Sequence, residues 1–274
     1  TYQGTLFRKG EHPIADLEPA NGDRAGQRAK LDLLAKLNRG VVQRFGEVSE
    51  IDATIQNYEL AYRMQSEVPD LLDLSKETEA TKKLYGIGQG AGGSSSMPEY
   101  ARQCLLARRL VERGVRFVEL SCLPQNIGGG QAPNPWDQHG QIKKGHGLMA
   151  QQVDQPIAAL IKDLKSRGLL DSTLVIWAGE FGRTPFAQGS DGRDHNPYGF
   201  SIWMAGGGVK GGHIHGATDD FGYHAIESVS TVYDLWATVL HLMGLDHEQL
   251  AYRFGGRDLR LTDVHGNVLR EIFA

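Results

Sequence analysis

Three short runs of the sequence carry side chains that could hold a cation or an anion. In Trp136-Asp137-Gln138-His139-Gly140 a carboxylate and an imidazole stand two residues apart in a polar stretch, so both can turn toward one metal ion. Alone, such a triplet is equally a turn carboxylate beside an exposed histidine. In Trp177-Ala178-Gly179-Glu180-Phe181-Gly182-Arg183-Thr184-Pro185, Glu180 follows a short apolar run and lies between glycines that permit close backbone approach. Arg183 comes three residues later, and its planar fork can grip two oxygens of a sulfate, phosphate or carboxylate. The competing structural reading is a Glu180–Arg183 ion pair that closes the loop. In Asp191-Gly192-Arg193-Asp194-His195-Asn196-Pro197, His195 can ligate a metal while Asp194 ligates or orients it, and Arg193 can make a second anion contact or neutralise its acidic neighbours. Three clusters at the same kind of position in successive units point to one site. The residues expected there are Asp137, His139, Glu180 and His195 around a divalent metal (zinc, manganese or calcium), with Arg183 as the catalytic anion contact and Arg193 binding substrate.

The other histidines carry less. His146 shares the long loop with Asp137; His213 and His215 could line a site or mark an exposed hairpin edge. His224 is ambiguous. His241 lies in an apolar helical run and reads as a packing residue, while His12, His247 and His265 read as surface or turn positions. Ser94-Ser95-Ser96 has no strand-to-helix elbow around it and reads as linker rather than nucleophile.

Positioning these residues falls to a chain that changes character along its length. After an extended Gly/Pro-containing arm, helical periodicity predicts helices over 26–38, with Leu31, Leu34 and Leu37 in a stripe, and over 49–65. The Gly/Ser-rich stretch 86–96 is the expected boundary. Residues 1–96 are thus read as arm, helical insertion or cap, and linker, and 97–274 as an incomplete α/β domain. There the pattern alternates helices (98–113, 153–164, 231–243) with short apolar strands (116–120, 174–177, 200–204). That alternation predicts a mainly parallel sheet flanked by helices, with the chemistry in loops beyond the strands' carboxyl ends.

Composition narrows the function. The chain has 274 residues, 40% of them hydrophobic, enough for a sizeable core. A formal charge of −4 offers no global field for nucleic acid or an anionic membrane, so an anionic ligand must be held locally. No apolar run approaches the length of about 20 residues that a membrane helix needs. Cys104 and Cys122 are too few for a disulfide scaffold and lack the spacing of a thiolate metal site. The start at Thr1 has neither an initiator methionine nor a signal segment and reads as a truncation.

Several motifs together resemble a known family. The run Gly168-Leu169-Leu170-Asp171-Ser172-Thr173-Leu174-Val175-Ile176-Trp177 is similar to the sulfatase turn that leads into a strand ending at a metal motif. Tyr233-Asp234-Leu235-Trp236-Ala237-Thr238-Val239-Leu240, through Gly244-Leu245, is similar to a sulfatase helix. Gly179–Pro185, Gly192–Pro197 and Leu261-Thr262-Asp263-Val264-His265-Gly266 resemble the large bacterial sulfatase-like family of exported, functionally uncharacterised proteins in the alkaline phosphatase superfamily. The resemblance implies an alkaline phosphatase/sulfatase-like fold with a helical insertion, and export to the periplasm or cell envelope. It makes Asp137 and His139 one metal pair, Glu180 the first acid of the superfamily's Asp-His motif, and His195 the late histidine of the first metal. Phe181 stands where a second-site histidine would be, which implies one metal, or a different second metal, rather than a full two-zinc site. The Ser, Thr or Cys-derived nucleophile is expected upstream of Thr1. The implied activity is metal-dependent hydrolysis of sulfate or phosphate esters; a non-catalytic envelope protein binding anionic glycans and a phosphomutase-like transferase are the alternatives.

Overall fold

The computed structural model describes residues 4–7, 14, 22–46, 49–88, 97–122 and 136–274. The chain falls into two compact units, Thr1–Thr78 and Glu79–Ala274. Most of the Gly/Ser-rich boundary stretch, residues 89–96, lies outside the described residues.

The first unit is built on α1 (Arg24–Phe45) and α2 (Ser49–Leu72). Asp23 caps α1, its carboxylate accepting from the Gly26 amide at 2.8 Å. Arg28 of α1 donates to both carboxylate oxygens of Glu59 on α2, at 2.7 and 2.5 Å, a fork-to-fork clamp between the helices. The leucine stripe of α1 is inward only in part. Leu31 is buried, whereas Leu34 and Leu37 are exposed.

The second unit carries all the candidate site residues. Its helical layer is α3 (Glu79–Tyr85), α4 (Met97–Glu112) and α5 (Ile142–Ser166). Tyr85, Tyr100, Cys104, Leu105, Met149 and Leu164 from these helices are at most 3% exposed and form the core. A buried carboxylate pins the layer. Asp163 of α5 accepts from the Tyr85 hydroxyl at 3.1 Å, from Arg108 Nε at 3.0 Å and from Arg167 Nε at 2.7 Å. Farther along the chain, α6 (Val232–Leu242) starts at a capping box in which Thr231 and Asp234 satisfy each other's backbone amides. Asp234 also accepts from the Asn267 amide at 2.7 Å, which fastens the C-terminal stretch to that helix end.

The expected parallel sheet is not what forms. The structure is about 47% helical, and its described strands make four two-stranded antiparallel pairs. β1 (Val175–Trp177) pairs with β4 (Trp203–Ala205), and β2 (Gly182–Arg183) pairs with β3 (His195–Asn196) inside the connection between them. β5 (Ala217–Thr218) pairs with β6 (Ala225–Glu227), and β7 (Ala251–Phe254) with β8 (Arg257–Arg260). Short apolar runs say that a strand is buried but not which way its neighbour points. Here the connection between β1 and β4 holds the β2–β3 hairpin and no helix, and it returns the chain antiparallel to β1, where a helical crossover would have made the pair parallel. The run expected as the first strand, 116–120, has no ladder partner among the described residues.

Candidate metal centre

The β2–β3 hairpin and the turn before α5 build the site. In the hairpin, Arg183 and His195 are directly opposed, so their side chains leave the same face. Gly182 is required at that crossing: a Cβ there would lie 2.7 Å from Phe200 Cβ and 2.8 Å from the Gly199 carbonyl oxygen. The hairpin's far end folds onto the turn holding Asp137 and His139. Arg193 N–H donates to the Gln138 carbonyl at 3.1 Å and Ile142 N–H to that of Asp191 at 3.2 Å. Contact this close requires glycine at 192, where a Cβ would fall 2.1 Å from the His139 carbonyl oxygen. Buried Asn196 braces the hairpin's exit, its amide donating to the Tyr223 carbonyl at 2.9 Å.

These contacts bring Asp137, His139 and His195 together in the one group of potential metal ligands found among the described residues. Asp137 Oδ1 lies 2.8 Å from His139 Nε2 and 3.0 Å from His195 Nε2, and the two Nε2 atoms are 3.2 Å apart. Neighbouring ligands around a tetrahedral ion with bonds of about 2.0–2.1 Å stand roughly 3.3 Å apart, so this triangle suits a small ion roughly 1 Å above its plane. His139 Nδ1 contacts Gln188 Oε1. An amide oxygen only accepts, so Nδ1 carries the proton and, in the neutral ring, Nε2 presents its lone pair to the triangle. All three atoms can turn a lone pair to a cation once His195 gives up any proton it shares with Asp137. The three side chains are each more than a third exposed, which leaves the open side within reach of a ligand.

Arg183 completes the cluster. Its Nη2 donates to Asp137 Oδ1 at 2.7 Å, and its Cζ lies 5.7 Å from the centroid of Phe181, whose ring packs 4.1 Å from that of His195. Nη1 of the same guanidinium is buried without a hydrogen-bond partner among the described residues, an unused donor beside the ligand triangle. Burial pushes the Asp137 carboxyl up, but hydrogen bonds from His195 and Arg183, with the nearby Arg183 and His139 charges, outweigh it and hold the group down to about 2. A carboxylate so held is already in the form that ligates metal.

The remaining expected residues are placed differently. Glu180 is exposed on the bend after β1 and is not in the ligand group, and the ion pair that Arg183 makes is with Asp137 rather than Glu180. Arg193 turns its guanidinium to the Gly192 carbonyl at 3.3 Å, and Asp194 accepts from the His195 amide at 2.8 Å. His146 packs on Trp136, ring centroids 5.5 Å apart, and Trp136 packs on Trp177 at the end of β1. Burial lowers the His146 pKa, as does Arg183, against a hydrogen bond with Trp136. Gln188 had no signal in the sequence beyond its place in a loop. His247, expected at a surface or turn position, lies in a turn but is buried, bonded to Thr262 Oγ1 at 2.9 Å.

A family model described as a protein of unknown function, DUF1501, matches residues 1–273. The chain belongs to the DUF1501 family. No curated protein and no solved structure matches it. The sulfatase-like resemblance is thereby corrected: no sulfatase or alkaline phosphatase family model matches this DUF1501 chain. Short runs such as Gly179–Pro185 repeat a spacing that chemistry favours, and spacing alone does not establish descent. Whatever rested on the resemblance alone, export and the upstream nucleophile included, now stands without it. No described helix of this DUF1501 chain is long and apolar enough to cross a membrane.

Proposed function

We propose that Asp137, His139 and His195 hold one divalent metal ion and that, with Arg183, they bind a sulfate or phosphate ester for metal-assisted hydrolysis. The observation that carries this is the convergence of three ligand atoms within 3.2 Å of one another, with Arg183 on the same Asp137 oxygen. Two imidazoles and one carboxylate with a side left open are the donor set of catalytic zinc sites; calcium, at about 2.3–2.6 Å with six to eight oxygens, suits neither the spacing nor the nitrogens. Zinc or manganese is therefore favoured. When bound, such an ion polarises the ester and brings the pKa of its water to about 7. The protein's own contributions are distinct. Gln188 orients the His139 ring, Asp137 supplies the negative charge, and the Arg183 guanidinium, held beside Asp137, offsets charge that develops on the ester oxygens.

Calorimetric titration of the full chain with zinc and then manganese, followed by phosphate, tests the reading. Saturable binding of one ion, and phosphate binding only after it, is expected; an absence of metal binding in wild type would leave the cluster as an ion-paired turn. A second reading, capture of an anionic glycan without turnover, draws on one observation. Phe186 and Tyr198, three residues beyond Arg183 and His195, are exposed and both pack on Tyr223, an apolar platform next to the anion contact. Metal-dependent release of product from an aryl phosphate or aryl sulfate separates hydrolysis from capture.

A further inference from the structure

A second constellation draws on none of the residues of the metal centre. Ser230 Oγ is 2.9 Å from His215 Nε2, and Nδ1 of the same ring is 3.5 Å from Glu271 Oε1. A hydroxyl and a carboxylate are thus joined through one imidazole. A carboxylate only accepts, so it favours the tautomer with the proton on Nδ1, and the Nε2 lone pair then faces the serine hydroxyl. Ser230 Oγ also lies 3.2 Å from the Ser228 carbonyl, which leaves the imidazole as the nearer acceptor for its proton. Such a serine–histidine–acid chain is recognised by geometry and not by its order in the sequence.

The three residues come from three segments, each fixed by its main chain. Lys210 N–H donates to the Ile272 carbonyl and Ala274 N–H to that of Gly208, both at 2.8 Å, which lays the stretch carrying Glu271 against the one that leads to His215. Gly216 passes so close to β6 that a Cβ there would lie 2.8 Å from the Glu227 carbonyl oxygen, and this brings His215 to the turn before α6. In that turn Ser228 takes φ 40°, a left-handed conformation that a side chain disfavours. Thr231, next to Ser230, is held by the α6 capping box. The amides of Val232 and Tyr233, in the first turn of α6, have no hydrogen-bond partner among the described residues. Ser230 therefore stands at the positive end of a helix that still has donors free.

The side chains around the serine point to the substrate. Ser230 is exposed, and so are Val229 and Val232, which flank it in the sequence, and Ile214 beside His215. Apolar side chains next to a nucleophile suit an uncharged acyl group rather than a sulfate or phosphate monoester.

We infer that Ser230, His215 and Glu271 form a second active site, which hydrolyses carboxylic esters with an apolar acyl group. Ser230 Oγ adds to the ester carbonyl carbon as its proton passes to His215 Nε2, and the carbonyl π electrons move onto oxygen, for which the Val232 and Tyr233 amides are the available donors. The tetrahedral adduct collapses, the bond to the alcohol oxygen breaks, and His215 gives that oxygen the proton. Water then adds to the acyl-serine while His215 takes its proton, and the acid departs as that proton returns to Ser230 Oγ. Glu271 touches no reacting atom; it positions the ring and steadies the positive charge that forms on it.

The test treats the full chain with EDTA, exposes it to diisopropyl fluorophosphate and locates the adduct by mass spectrometry of a digest. One adduct is expected, on Ser230, and it should be lost in His215→Gln because the hydroxyl is no longer activated. p-Nitrophenyl butyrate should be hydrolysed with a burst of nitrophenolate, and Ser230→Ala and His215→Gln should each lower kcat on the order of 100-fold or more. Ser230 is exposed, so its replacement by alanine leaves the core untouched. Glu271→Gln should lower kcat about tenfold or more with KM unchanged, a split that loss of folded protein would not give. An unlabelled Ser230, or an adduct formed as readily in His215→Gln, overturns the inference, as does ester turnover equal in wild type and Ser230→Ala. Turnover abolished by EDTA would assign the activity to the metal centre and overturn it too.

Discussion

Asp137 Oδ1 is approached by two histidine nitrogens and an arginine at once, so charge rather than shape is what Asp137→Asn removes. Zinc affinity is expected to fall on the order of 100-fold or more, because a neutral amide oxygen is a poor ligand and a third of the donor set is lost. Gln188→Ala should cost about 10–100-fold through the His139 tautomer, the usual scale for a residue that orients a metal ligand. Its ring-nitrogen signals in an NMR spectrum should report a shifted tautomer balance, a change that a merely structural role would not produce. Glu180→Gln, at an exposed position outside the ligand group, should leave zinc affinity where it was. Arg183→Lys keeps the charge and loses the fork, so metal binding persists while phosphate affinity drops about tenfold. Equal loss in all four variants on calorimetric titration would mean that the loops had loosened and no ligand set had been identified. Residue types put forward Asp137, His139, Arg183 and His195, which lie together, but equally Glu180 and Arg193, because composition does not say which side chains converge. Gln188 was not readable, because its role lies in an orientation set by the 188–192 turn.

At the scale of elements, the site depends on register. One residue's slip in the β2–β3 pair would send Arg183 or His195 to the opposite face, and the glycines at 182 and 192 allow only the observed packing. The sequence shows those glycines but not which backbone presses on them. Existence of the long helices is plain in the periodicity, and α4, α6, β1 and β4 fall within a few residues of the expected runs, whereas the two- to four-residue strands of the other three pairs carry no such signal. Strand direction is not plain either, because an apolar three-residue strand contains nothing that names its partner. Likewise α5 starts at Ile142, well before the apolar stripe that reveals it, because its first turns face solvent or the site. What joins α3, α4 and α5 is a charge network that hydrophobic pattern does not register. Asp163→Ala would leave the buried Arg108 guanidinium, 2% exposed, with Glu112 as its carboxylate, and strip Tyr85 and Arg167 of an acceptor; it should destabilise the fold by up to about 3–5 kcal/mol in urea titrations. Replacing Arg108 by methionine in that background should recover part of the loss, since an apolar pair is better tolerated there than a buried charge that has lost one of its carboxylates, and Glu112 keeps Arg167. An Asp163→Ala midpoint equal to wild type would show that α4 and α5 are held by their apolar contacts alone.

For the molecule as a whole, the groups buried in the second unit set where stability must fail. Cys104 and Tyr85 have no exposed surface and Tyr100 has almost none. Burial pushes the Cys104 thiol up from its ordinary 9.0 to about 12, and raises both phenols above their ordinary 10.0, Tyr85 further through the adjacent Asp163 carboxylate. All three shifts have the same sign. The folded chain keeps protons that the unfolded chain releases, so each group's contribution is fully present below its unfolded pKa and drains away as pH climbs toward the folded value. Stability should therefore be level with respect to these groups near neutrality, then fall from about pH 9 as the thiol, and from about pH 10 as the phenols, ionise in the unfolded state. Urea midpoints at half-unit steps from pH 7.5 to pH 11 would trace this, with Cys104→Ala delaying the onset because the group of lowest ordinary pKa has been removed. A midpoint unchanged across that whole range would mean that water already reaches Cys104, Tyr85 and Tyr100, and with it the centre of the α3, α4 and α5 layer against which the candidate site is built.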